Sequence, residues 1–112
     1  TEAKRVVLKL VPQLAPVLVG VFPLVTKDGL RKKAQDIYST LKLDFSTFYD
    51  ESGSIGRRYR RLEEIGAPFA LTIDNQTMKD DTVTIRYRDT MLQERVKVSE
   101  ISSFLDTVIK LN

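Results

Sequence analysis

Apolar and polar positions change period several times along this chain, and each change marks an element. Val17-Leu18-Val19-Gly20-Val21-Phe22 is an unbroken apolar run stopped by Pro23, the pattern of a central strand buried on both faces. Leu30, Ala34, Ile37, Tyr38 and Leu41 then recur at helical spacing, with Arg31, Lys32, Lys33, Gln35 and Asp36 between them. Asp28 stands where an N-cap would. Phe45 to Tyr49 reads as a short aromatic strand. From Ile55 to Ile65, the residues Ile55, Tyr59, Leu62 and Ile65 form one helical stripe. Arg57, Arg60, Arg61 and Glu64 fall on the opposite face, Arg58 sits at the stripe's edge, and Gly66 is a natural stop.

The second half switches to period two. Phe69, Leu71 and Ile73 alternate in a third strand, and Asp74-Asn75-Gln76-Thr77 has turn chemistry. Val83, Ile85 and Tyr87 alternate with Thr84, Arg86 and Arg88. Leu92, Val96 and Val98 share one face of a fifth strand, with Gln93, Arg95 and Lys97 on the other. Ser99 can cap a last helix striped by Ile101, Phe104, Leu105 and Val108. The order β-α-β-α-β-β-β-α predicts an α/β fold: one mixed five-stranded sheet packed by three helices. Its first half should be parallel with right-handed crossovers, and its last strands an added antiparallel ladder. Upstream, Val6 to Leu10 followed by Pro12 and Pro16 reads as an extended lead-in. The expected division is residues 1–16 as lead-in and 17–112 as the domain.

Composition narrows the chemistry. A chain of 112 residues has length for one modest core. It contains no cysteine and no histidine. Disulfides, thiolate metal sites and Ser-His or Cys-His catalysis are therefore excluded within it. The absence of cysteine fits a reducing compartment. The run Leu14 to Val25 is broken by Pro16, Gly20 and Pro23, too short to cross a bilayer, and no signal peptide is visible. The first residue is not Met, which points to an excised fragment.

Net charge is only +3, yet four of the nine arginines fall within five residues, Arg57 to Arg61, directly after the short Gly/Ser turn that runs to Gly56. A turn that exposes backbone N–H groups and opens a basic helix suits a polyanion. Gly53 and Gly56 would let a ligand approach the backbone. No Gly-Lys-Ser/Thr follows them, so this is not an ATP phosphate loop. The plain alternative is a solvated helix face in which Arg60 and Arg61 pair with Glu63 and Glu64. Arg86, Arg88, Arg95 and Lys97 would project from one sheet face and extend the basic surface. Tyr59 and Tyr87 are placed to stack on bases but also fit the apolar faces. The adjacent pairs Asp50-Glu51 and Asp80-Asp81 point apart in extended backbone, which suits turns better than acid–base catalysis. Met78 and Met91 read as packing or loop residues.

Several motifs now stand in order: Asp50-Glu51-Ser52-Gly53-Ser54-Ile55-Gly56-Arg57-Arg58-Tyr59, Glu64-Ile65-Gly66, Thr72-Ile73-Asp74, and Arg86-Tyr87-Arg88-Asp89-Thr90-Met91 with Gln93 and Arg95. Together they closely resemble the C-terminal anticodon-binding domain of glycyl-tRNA synthetase, the homodimeric class II type. Arg5 to Leu10 with Leu14-Ala15-Pro16 resembles the segment leaving that enzyme's catalytic domain.

The resemblance implies the mixed α/β fold of class II synthetase anticodon-binding domains and recognition of the two cytosines of the glycine anticodon. Carried over by position, Arg57 and Arg88 would contact anticodon bases. Arg86 and Asp89 would support or flank them, and Gly53, Ser54 and Gly56 would form the supporting turn. Asn75 stands where some relatives have a stacking aromatic, so a contact there would be polar. Tyr87 replaces an acidic residue common in the family. The class II catalytic motifs are absent. The resemblance thus implies no catalytic, cofactor or metal site in this chain. ATP and magnesium would belong to the parent enzyme, a cytoplasmic homodimer, with the isolated domain a monomer and no membrane partner. The alternative reading is a non-catalytic protein-interaction or assembly module on the same fold, its basic surface meeting an acidic protein.

Overall fold

The computed structural model describes residues 17–110; the lead-in expected over residues 1–16 lies outside them. The elements are β1 (Val19–Pro23), α1 (Leu30–Leu41), β2 (Thr47–Tyr49), α2 (Ile55–Ile65), β3 (Phe69–Ile73), α3 (Asn75–Asp80), β4 (Thr82–Tyr87), β5 (Gln93–Lys97), a single 3-10 turn (Val98–Glu100) and α4 (Ile101–Lys110). The sheet order is β2-β1-β3-β4-β5. β1 runs parallel to both β2 and β3, and β4 and β5 add antiparallel. This is the expected mixed five-stranded α/β sheet.

The sheet buries two unequal clusters. One face packs Val19, Val21, Phe69, Leu71, Ile73, Val83, Ile85 and Tyr87 against α1 and α4. The stripe Leu30, Ala34, Ile37 and Leu41 supplies the α1 side. The other face holds a smaller cluster, Phe22, Leu62, Ala67 and Ala70, with Ile55 and Tyr59 packed against it under α2. The helix sits close because β1 offers a glycine: a Cβ on Gly20 would lie 2.7 Å from Leu62 Cδ2. This second cluster ends at β3. By register the face continues across β4 and β5 as Thr84, Arg86, Gln93 and Arg95. It is half apolar, under α2, and half polar.

The differences from expectation are local. Asp74 to Thr77 opens a helix, not only a turn. Asp74 accepts from Thr77 N–H at 3.1 Å, and its own N–H donates to Thr77 Oγ1 at 3.0 Å. That capping box starts the six-residue α3, a fourth helix beside the three expected. Asp28 does not cap α1. It sits at φ 57°, left-handed, and Gly29 at φ 80° is the cap residue, with no side-chain hydrogen bond. An N-cap carboxylate needs extended backbone to reach back to the first turn. Phe45 is buried but lies outside β2, because its N–H still bonds Leu41 O at 2.9 Å. Ser99 falls inside the 3-10 turn before α4.

Candidate nucleic-acid interface

The Ser52 to Arg61 segment is positioned from both ends. Asp50 closes the turn by accepting from Ser52 N–H at 2.9 Å. Gly53 takes φ 70°, and Ser54 caps α2 by accepting from Arg57 N–H at 3.3 Å. Gly66, at φ 91°, ends the helix; its N–H donates to Leu62 O and Glu63 O, both at 3.0 Å. A Cβ on Gly56 would meet nothing within 4 Å, so the chain itself does not require glycine there.

The four clustered arginines have different tasks. Arg58, expected at the stripe's edge, is 4% exposed. It donates to Pro23 O and, from Nη2, to Gly53 O at 3.0 Å. It ties the end of β1 to the turn before α2. Arg61 pairs with Asp50 at 2.7 Å and donates to Ser52 O at 2.6 Å, not to Glu64 as helix spacing suggested. Burial pushes the Asp50 carboxyl up, but Arg61 and the Ser52 N–H pull it down further, and it ends below its ordinary value. Arg57 and Arg60 are exposed.

A second group gathers at the other end of α2. Arg88 N–H donates to Pro68 O at 2.9 Å, which places the residue beside the start of β3. Its guanidinium donates from Nη1 to Gly66 O at 2.9 Å. Nε and Nη2 donate to the two Asp89 oxygens at 3.0 and 3.2 Å. Among the described residues three of its five N–H hydrogens are used, and the other two lie one on each Nη. Arg86 lies with Cζ 4.3 Å from the centroid of the Tyr59 ring. Tyr59 is fixed by its hydroxyl on Thr72 Oγ1 at 2.9 Å and by an edge contact with Phe22. Tyr59, Glu63, Pro68, Arg86 and Arg88 line a shallow depression along this seam between α2 and β4.

The expected site residues therefore fall into separate places. Arg86, Arg88 and Asp89 stand together at the carboxyl end of α2. Arg57, Gly53, Ser54 and Gly56 stand at its amino end. Nine residues from Arg57 to Gly66 make roughly 14 Å of helix axis, and Arg57 lies roughly 160° round the helix from Tyr59. Arg57 and Arg88 thus stand near opposite ends of α2 and on different sides of it. Asn75, exposed at the start of α3, follows the end of β3 opposite to Arg88. Tyr87 points into the core, its ring 5.7 Å from Phe69; burial, with Glu94 next to it, raises its hydroxyl above the ordinary range.

Arg95 projects from the basic sheet face as expected but is not available there. It donates to both Asp74 oxygens, at 2.6 and 2.8 Å, and to Thr82 Oγ1 and Thr84 Oγ1 at 2.7 and 3.1 Å. It pins the α3 capping box to the hairpin. The Arg95 hydrogen bonds hold the Asp74 carboxyl at about 2, against ~3.9 in an unfolded chain. A depressed carboxylate contributes stability above its unfolded value and loses it as pH falls through its folded one. Acid titration is expected to cost the parent about 2 kcal/mol from this group between pH 4 and 2. Asp74→Asn should be less stable at pH 7 and show a flatter loss over that window, followed by denaturant midpoint against pH.

Known proteins bear directly on this arrangement. The solved RNA binding domain of threonyl-tRNA synthetase from Cryptosporidium parvum Iowa II superposes with a TM-score of 0.75 over 83% of this chain and 24% of its own, at 22% identity. A prolyl-tRNA synthetase from the same species, solved with L-proline and AMP, gives 0.77 over 88% and 22%, at 21% identity. Both share the fold. The anticodon binding domain family matches residues 18–107, and the chain belongs to that family. The glycine–tRNA ligase of Rhodopirellula baltica is 49% identical over 106 residues, 95% of this chain and 20% of that protein. That of Clostridium acetobutylicum is 49% identical over 107 residues, 96% and 23%. The chain spans about a fifth to a quarter of these relatives' length.

Proposed function

We propose that this chain is the anticodon-binding part of a glycine–tRNA ligase and holds the anticodon loop of the glycine tRNA. The observation that carries this reading is the Arg88–Asp89 pair at the end of α2, in a chain 49% identical to two such ligases. Cytosine presents an amino donor at N4 beside acceptors at N3 and O2. Arg88 has two unused N–H hydrogens, one on each Nη, for the acceptors. Asp89 has lone pairs for the amine, the usual carboxylate partner of cytosine N4. Arg57, with the Gly53, Ser54 and Gly56 turn, meets a different nucleotide, and Asn75 makes at most a polar contact beyond it.

Aminoacylation belongs to the rest of the enzyme, which supplies ATP and magnesium binding. Among the described residues no three carboxylates group to hold a metal, and Asp50, Glu51, Asp74 and Asp81 each pair with a basic side chain. On this reading the complete enzyme is a cytoplasmic homodimer and this chain alone a monomer. No helix among the described residues is long and apolar enough to cross a membrane. Incubated with bulk tRNA and recovered by affinity tag, the chain is expected to enrich glycine isoacceptors. A recovered pool with the input's composition, or capture of a protein without tRNA, contradicts the assignment.

A further inference from the structure

Arg86 differs from the other arginines of the polar face. Arg88 is held by Asp89 and Gly66, and Arg95 by Asp74 and two threonines. For Arg86 the hydrogen bond found among the described residues goes instead to the soft sulfur of Met91, at 3.3 Å from Nη2. It is nevertheless held in place. It lies over Tyr59, whose ring is braced by Phe22 and whose hydroxyl is bonded to Thr72. Tyr59 is therefore capped: Arg86 covers one face, and the ring cannot take a base there itself.

We propose that Arg86 is a stacking platform, its guanidinium seated on Tyr59 and its outer face receiving a nucleobase splayed out of the RNA along the α2–β4 seam. Guanidinium planes stack on bases much as aromatic rings do, and more weakly hydrated guanidinium loses less than an ammonium on being covered. Arg86 is half-buried and lines the same shallow surface depression as Tyr59, Pro68 and Arg88. Sequence reading would be left to Arg88 and Asp89, while Arg86 contributes affinity that any base can satisfy. This inference rests on the anticodon-binding assignment and adds a base-independent contact to it.

Arg86→Lys tests it, because the charge stays and the plane goes. The chain is titrated by fluorescence anisotropy with a labelled glycine anticodon stem-loop and with loops altered one base at a time. Arg86→Lys is expected to weaken every loop by a similar factor, about tenfold for one stacked base, with the salt dependence unchanged. Lys32→Ala, exposed on α1 across the sheet from this seam, should bind within twofold of the parent. Affinity of Arg86→Lys within twofold of the parent overturns the proposal. A loss confined to one base identity also overturns it, since Arg86 would then read an edge. Failure of the parent itself to prefer the glycine loop would instead sink the assignment beneath it.

Discussion

Replacing Arg58 with alanine is expected to cost this chain about 3 kcal/mol or more of stability. Two hydrogen bonds from a charged donor are lost, each worth ~1.5–3 kcal/mol. The Pro23 and Gly53 carbonyls lose their partner in a site that is 4% exposed, and a void opens beneath α2. Domains of this size hold ~5–15 kcal/mol in all, so the melting temperature should fall by roughly 10–20 °C. Arg58→Lys should recover only part, because one ammonium replaces a fork that reaches two carbonyls. Thermal and urea unfolding measure both variants. A loss below 1 kcal/mol for the alanine variant would mean that the turn before α2 is held by Ser54 and Asp50 alone. Binding should fall with it, since the same side chain sets where α2 begins and hence where Arg57 stands.

Arg88→Ala is expected to act on recognition instead. Loss of a bidentate base contact costs ~1–3 kcal/mol, or roughly five- to 150-fold in affinity. The Gly66 carbonyl loses a donor as well, so a stability loss of about 1 kcal/mol should accompany it. The two effects separate because a stability loss of that size leaves the chain folded, while the binding loss depends on the base. An RNA that never offered cytosine to Arg88 should bind the variant and the parent alike. Arg57→Ala makes the contrast: a contact to phosphate alone would weaken all loops together and lower the salt slope by about one.

Much of the fold was legible because apolar period tracks burial. The alternation at Val83, Ile85 and Tyr87 and the helical spacing from Leu30 to Leu41 both bury the residues expected, Tyr38 only in part. The short α3 escaped because Asp74 to Thr77 uses the same residue types for a capping box as for a turn, with too few residues after it to show a period. The burial of Arg58 was not legible, because a helical wheel ranks position, not reach. A long side chain at the stripe's edge can turn inward where carbonyls meet its charge, and its two acceptors lie 35 and 5 residues away. Arg95 looked like part of a ligand surface because Asp74, 21 residues distant, is paired to it only once β5 is built onto β4. The separation of Arg57 from Arg88 follows from strand direction: β4 runs back along β3 and delivers Arg88 to the wrong end of α2 for one shared pocket. The charges were legible, but their partners were not.

Reading of cytosine by Arg88 and Asp89 is the proposal on which recognition turns. Its most direct test compares affinity for the glycine anticodon stem-loop with affinity for the same loop carrying uracil in place of its two cytosines, for the parent and for Arg88→Ala. Uracil sets an N3–H donor against the guanidinium and removes the amine that Asp89 would accept from. The parent should prefer the cytosine loop by about tenfold or more, and Arg88→Ala should lose most of that preference. Equal binding of both loops by the parent, or a cytosine preference undiminished in Arg88→Ala, would overturn the proposal.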